Sequence, residues 1–264
     1  MSVPVPLRLA AVALAAIVVG CSTESALGPS TNQAMTLSQL LSQMNLPALS
    51  GVTSTLSPAA AASAATPVPS TCSYSASSQS FLCPTVVMAN GLTVTQSYTL
   101  LDASGKPQSQ FDPNTTAAVR TKMSAAGTVT LTGSTSGTLT IDQQQDMTFS
   151  GLLTSTHVLN GLGTVHMSGA ISTGTTTTPT NSTLTMTTTN LVLPPMNGDA
   201  IAWPTSGTLT EDNITAVGNG FPAVSTHLTM TFNGTSQVAV VITIGTNTQR
   251  CTIDMAKTSA LACT

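Results

Sequence analysis

The chain has 264 residues, of which only 6% are charged and 3% aromatic, with a formal net charge of −3. Its six lysines and arginines are scattered, which argues against a nucleic-acid partner, because phosphate binding needs clustered positive charge. Solubility must then rest on hydroxyls and amides, and the length allows one sizeable domain or two small ones.

The N-terminal stretch sets the context for everything after it. Arg8 precedes the apolar run Ala10 to Val19, too short to cross a bilayer core of about 30 Å comfortably as a helix and shaped like an export signal. The run stops at Val18-Val19-Gly20-Cys21. That ending is similar to the lipobox of bacterial lipoproteins. The resemblance covers residues 1–21 alone and says nothing about the mature domain. It implies that residues 1–20 are a signal peptide, that the Cys21 thiol takes a diacylglycerol, and that the freed amine is acylated as well. Two or more acyl chains hold a protein stably at a membrane where one does so only marginally. In bacteria with two membranes, an aspartate after the lipidated cysteine tends to retain a lipoprotein in the inner membrane. Ser22 stands there instead, which points to the outer membrane and a cell-envelope location.

Residues 21–70 read as a stalk. Leu37, Leu40, Leu41 and Met44 repeat with helical spacing, and Thr36 with Gln39 has the form of a capping box, so a short amphipathic helix is expected over about 36–46. Pro47 ends it, and the following Ala, Ser and Pro residues to Ser70 have linker composition.

From Thr71 to Thr264 the period changes to two. Val129 and Leu131, Leu139 and Ile141, Met147 and Phe149, Val165 and Met167, Leu184 and Met186, Leu228 to Phe232, and Val238 to Ile244 alternate with Thr, Ser and other small or polar residues. Such alternation marks half-buried strands. Five Asn-Gly pairs, at Asn90, Asn160, Asn197, Asn219 and Asn233, suit type I′ hairpin turns. The string Ser-Gly-Thr-Leu-Thr at Ser136 recurs at Ser206 without a fixed period linking related strings, as one hairpin idiom reused within a domain. The expected fold is all-β and antiparallel: a sandwich, or a strongly curved and partly closed sheet of consecutive hairpins. A membrane-spanning barrel would need aromatic girdles that five Phe, two Tyr and one Trp do not supply.

Setting Cys21 aside leaves Cys72, Cys83, Cys251 and Cys263, an even set in an exported chain, which reads as two disulfides. Three pairings are possible. The sequence-local ones, Cys72 with Cys83 and Cys251 with Cys263, are favoured because each would pin one end of the domain. Zinc would call for tighter spacing.

No catalytic, cofactor or metal motif emerges. His157 and His166 flank Asn160-Gly161 and would share one face of a hairpin turning there, but their companions Ser155, Thr164 and Ser168 read as a solvated face. Gly133-Ser-Thr-Ser-Gly137 carries threonine where a nucleophile elbow needs serine, and it lies between two strands, so it reads as a hairpin loop. Asp142 and Asp146 around three glutamines, and Glu211-Asp212-Asn213, read as turn chemistry. His227 sits on a threonine face, and Trp203 reads as packing or strand-edge cover. The four Asn-x-Thr/Ser sites are coincidences of a threonine-rich chain. Together these features lead to a lipid-anchored, non-catalytic β-domain that binds, adheres or scaffolds. A carrier of an apolar ligand in a curved sheet comes second, and an envelope hydrolase with a dispersed triad third.

Overall fold

The computed structural model describes residues 68–264 apart from 89–90, 133–134, 174, 194–202, 218–222, 256–260 and 264. Cys21, the helix expected over 36–46 and nearly all of the linker lie outside the described residues. Fourteen strands are formed, and no helix occurs among the described residues. The first five are β1 (Ser73–Ser75), β2 (Ser80–Leu82), β3 (Val86–Val87), β4 (Leu92–Asp102) and β5 (Pro107–Gln108). The longest follow, β6 (Thr116–Leu131), β7 (Thr135–Ser150), β8 (His157–Thr173) and β9 (Thr176–Leu193). The last are β10 (Ser206–Val217), β11 (Val224–Thr231), β12 (Gln237–Ile244), β13 (Asn247–Asp254) and β14 (Leu261–Cys263).

All fourteen belong to one sheet, ordered β1-β2-β4-β6-β7-β8-β9-β10-β11-β12-β13-β14, with β3 and β5 also paired to β4. Every pairing is antiparallel, and β1 does not meet β14. Among the described residues the strands form one antiparallel sheet that does not close, which fits the curved sheet of the two architectures anticipated. Strand twist makes so wide an open sheet curl, since strongly twisted open sheets rarely pass about ten strands while staying flat.

The two faces separate by chemistry. Leu100, Val119, Phe149, Leu159 and Leu191 are successive register partners across β4, β6, β7, β8 and β9, and all are buried. Leu209, Met230, Val240 and Cys251 continue the buried belt across β10 to β13. All the alternating apolar residues anticipated above fall on this apolar face. The opposite face carries rows of hydroxyls, such as Thr189, Thr208 and Thr231, and beside it Thr187, Thr210 and Thr229. Stacked β-branched side chains of this kind suit a pleated, solvated surface.

Both ends of the sheet are closed by three-residue strands held by disulfides. Cys72 joins Cys83 across the β1–β2 hairpin, and Cys251 on β13 joins its register partner Cys263 on β14. Around the first bridge, Tyr98, Leu100 and Val119 pack with Val68, Phe81, Phe111 and Leu152. Short, tied edge strands limit pairing with other chains, the standing hazard of an open sheet.

Asn160-Gly161 does not turn the chain. It lies inside β8, paired to β7 on one side and β9 on the other. The local preference for a turn loses to a ladder of 17 residues with partners on both sides. The pair has a different use: Asn190, with φ 48°, forms a bulge in β9, and its backbone N–H donates to Asn160 Oδ1 at 2.6 Å. Gly161 faces Met147, whose sulfur and neighbouring backbone would collide with any Cβ. The repeated Ser-Gly-Thr-Leu-Thr string likewise opens two long strands, β7 and β10. Its glycines, Gly137 (φ 149°) and Gly207 (φ 106°), lie against the neighbouring strand's backbone too closely for a side chain. Asn233-Gly234 does fall in a connection, between β11 and β12, with Gly234 at φ 83° and Asn233 Oδ1 accepting from the Thr235 N–H, but Asn233 lacks the positive φ of the type I′ turn expected there. The β3–β4 hairpin at Gly91 forms as expected, whereas the pairs at Asn197 and Asn219 lie outside the described residues.

Candidate functional site

Strands β9, β10 and β11 place an acidic side chain on the apolar face. Glu211 follows Leu209 by two residues and so points to the same side, where its register partners are Met186 and Leu228. Leu184, Thr188, Thr226 and Met230 stand diagonally, and Leu209 and Asn213 lie along its own strand. The residue is only 5% exposed. No hydrogen bond to its carboxyl exists among the described residues. Burial, aided by the charge of Asp212, pushes the Glu211 carboxyl up to about 7, so it exchanges its proton near neutral pH. Arg120, Lys122, Asp142, Asp146, Asp212 and Arg250 all take the threonine face, so Glu211 is set apart from the other charges of the long strands.

Polar groups surround it on the same face. Thr188 is 2% exposed and its hydroxyl has no partner, an arrangement that costs free energy unless something supplies a hydrogen bond. Next along β10, the Ser182 hydroxyl donates to Asn213 Oδ1 at 3.0 Å, and so does Thr215 Oγ1 at 3.0 Å. The result is a polar island in an apolar surface: one satisfied triad, one orphan hydroxyl and one orphan carboxyl. Besides Thr188, one more buried atom among the described residues lacks a partner, His157 Nδ1, which lies at the far end of β8 with its ring centroid 5.3 Å from that of Phe149.

Both acidic groups assigned to turns are in strands instead. Asp142 and Asp146 lie within β7, where Asp146 accepts from Arg120 Nε at 2.7 Å and approaches Lys122 at 3.8 Å. The Arg120 hydrogen bond holds the Asp146 carboxyl below its usual range. Glu211-Asp212-Asn213 lies within β10, so alternation sends Glu211 and Asp212 to opposite faces. No turn is available at either place because each strand is paired on both sides.

The two histidines expected to share a hairpin face stand nine residues apart on the single strand β8 and point to opposite sides. His157 joins the apolar face, while His166 meets Thr183 Oγ1 at 3.1 Å on the threonine face. They cannot hold one metal ion between them. Of Gly133-Ser-Thr-Ser-Gly137, read as a hairpin loop, Thr135, Ser136 and Gly137 belong to the start of β7, and Gly133 and Ser134 lie outside the described residues. Trp203, beside buried Pro204, is half-buried.

On the threonine face one relay was not foreseen. Asp212 and His227 are register partners, with Asp212 Oδ1 2.6 Å from His227 Nδ1, and His227 Nε2 lies 3.0 Å from Thr229 Oγ1. With the ring neutral, Nδ1 donates to the carboxylate and Nε2 accepts from the hydroxyl, the order of groups in a nucleophilic triad. The surroundings do not complete one. Thr229 is paired to Thr210 and Val241 on its two sides, so the local backbone N–H groups serve the sheet and none converges on a developing oxyanion. The relay is also exposed, with side-chain accessibilities of 46% for His227 and 58% for Asp212, which leaves water free to screen it.

Comparisons with protein families, with curated proteins and with solved structures return no match, so the site rests on its own geometry.

Proposed function

We propose that this chain is a lipid-anchored protein of the bacterial cell envelope, tethered through Cys21 and probed by its surroundings through a β-domain that works by binding and not by catalysis. The observation that carries this reading is the pair of disulfides at the two ends of the sheet. Such bridges form and persist outside the reducing cytoplasm, where the export signal and the lipobox-like Val18-Val19-Gly20-Cys21 would deliver the chain. Ser22 favours the outer membrane. Metabolic labelling with a fatty-acid probe tests the anchor: the wild type should be labelled and found with membranes, and Cys21→Ala should be neither. Equal labelling of the two would overturn it.

A second reading has a specific observation in its favour. The apolar face runs across the whole sheet and carries an unpaired carboxyl, which suits a carrier of an amphiphile better than it suits a plain scaffold. Native mass spectrometry of the full chain should then show a co-purified lipid-like molecule. A protein that emerges free of any ligand, and that takes none up from added lipid, would remove this option.

A further inference from the structure

We propose that the polar island on β9 and β10 is a binding site for the ammonium headgroup of an alkyl amphiphile, held between the carboxyl of Glu211 and the hydroxyl of Thr188. This deepens the carrier reading and rests on it.

Glu211 is 5% exposed and Thr188 is 2% exposed; the Thr188 hydroxyl is a buried group without a partner, and the Glu211 carboxyl has no hydrogen bond to the described residues. They lie diagonally on adjacent strands of one face, so a single small group can reach both. A carboxylate in an apolar setting is stabilised most by a cation that also donates hydrogen bonds. A primary ammonium meets the requirement: one N–H to Glu211, one to the Thr188 oxygen, and a third left for the entering solvent or a neighbour. An anionic headgroup would face repulsion from Glu211, and a neutral hydroxyl would satisfy Thr188 while leaving the carboxylate without a counter-charge. The remaining surroundings fit an aliphatic tail. Leu209, Met230, Leu228 and Met186 adjoin the two polar groups, and methionine adapts to irregular apolar shapes.

The charges facing the site are few, which makes its pH response readable. From β9 come Leu184, Met186 and Thr188, from β10 Leu209 and Asn213, and from β11 Thr226, Leu228 and Met230, none of which titrates. Asp212 and His227 lie on the opposite face.

The test uses the full chain with octylamine and octanol as probes, read by calorimetry between pH 5 and pH 8. Octylamine should bind more tightly than octanol at pH 8. Its affinity should fall about tenfold for each pH unit below the point where Glu211 takes up its proton, while octanol is unaffected. Glu211→Gln should weaken octylamine by about tenfold or more and leave octanol unchanged. Should Glu211→Gln fail to fold, the wild-type pH series still decides. Equal binding of the two probes, with no pH response in the amine, would overturn the proposal while leaving a carrier standing. Binding of octanol without octylamine would overturn the proposal alone, and failure of both probes to bind would overturn the carrier reading and this proposal together.

Discussion

Glu211→Gln should make the protein more stable at pH 8 and leave it unchanged at pH 4. The ordinary value for this carboxyl is 4.5, and in the folded chain burial raises it to about 7. At pH 4 and below the proton is held in both folded and unfolded chains, and the group contributes nothing. Between the two values only the folded chain holds the proton, so raising the pH removes stability; above about 7 the loss is complete. The gap between the two values corresponds to roughly 3 kcal/mol at 1.36 kcal/mol for each pH unit. Glutamine keeps the shape and carries no charge, so it should abolish this slope. For a domain of this size 3 kcal/mol corresponds to about 6–12 °C in Tm. The assay is urea or thermal unfolding of both proteins at half-unit steps from pH 4 to pH 8.5. Taking the difference between them cancels the contributions common to both proteins. Parallel stability curves would refute the assignment of Glu211 to the interior of the apolar face.

Further outcomes follow from the same structure. Replacing Cys251 and Cys263 together by serine opens a loop with sequence separation 12, and should cost about 3 kcal/mol. Hydrogen exchange should rise in β13 and β14 while β6 to β9 keep their protection. Gly161→Ala should destabilise by about 1–3 kcal/mol because the new methyl meets Met147 and the Asp146 carbonyl. Gly163→Ala, with its nearest neighbour 3.7 Å away, should change stability by no more than about 0.5 kcal/mol. Equal losses from the two glycines in urea unfolding would contradict the register of β7 with β8. Asp146→Asn removes a partly exposed ion pair with Arg120, and should cost less than about 1 kcal/mol, shrinking further in 1 M salt.

The fold class was legible because alternation is written into single strands. Val129, Leu139, Ile141, Met147 and Phe149 all reached the face that period-two reading assigned them. The local disulfides were legible for a related reason, since residues a dozen apart on a hairpin meet across it. Lengths were not. Asn160-Gly161 and Asp142 to Asp146 have turn-like composition, yet flanking strands pair with them on both sides and hold them extended. That is a tertiary effect, invisible in a local window. The same pairing on both sides conceals Glu211 from a local reading. Once Leu209 is on the apolar face, parity alone puts Glu211 there too, whereas a turn at Glu211-Asp212-Asn213 would have broken that alternation. The Asp212–His227–Thr229 relay depends on the register of β10 against β11, which no spacing in the chain encodes.

The most direct check on an exported, lipid-moored disulfide protein is the intact mass of the mature product recovered from membranes, before and after reduction. It should begin at Cys21, exceed the polypeptide mass by a diacylglyceryl group and an acyl chain, and gain four hydrogens when its two disulfides are reduced. A product that starts at another residue, carries no lipid, or gains no mass on reduction would contradict the account.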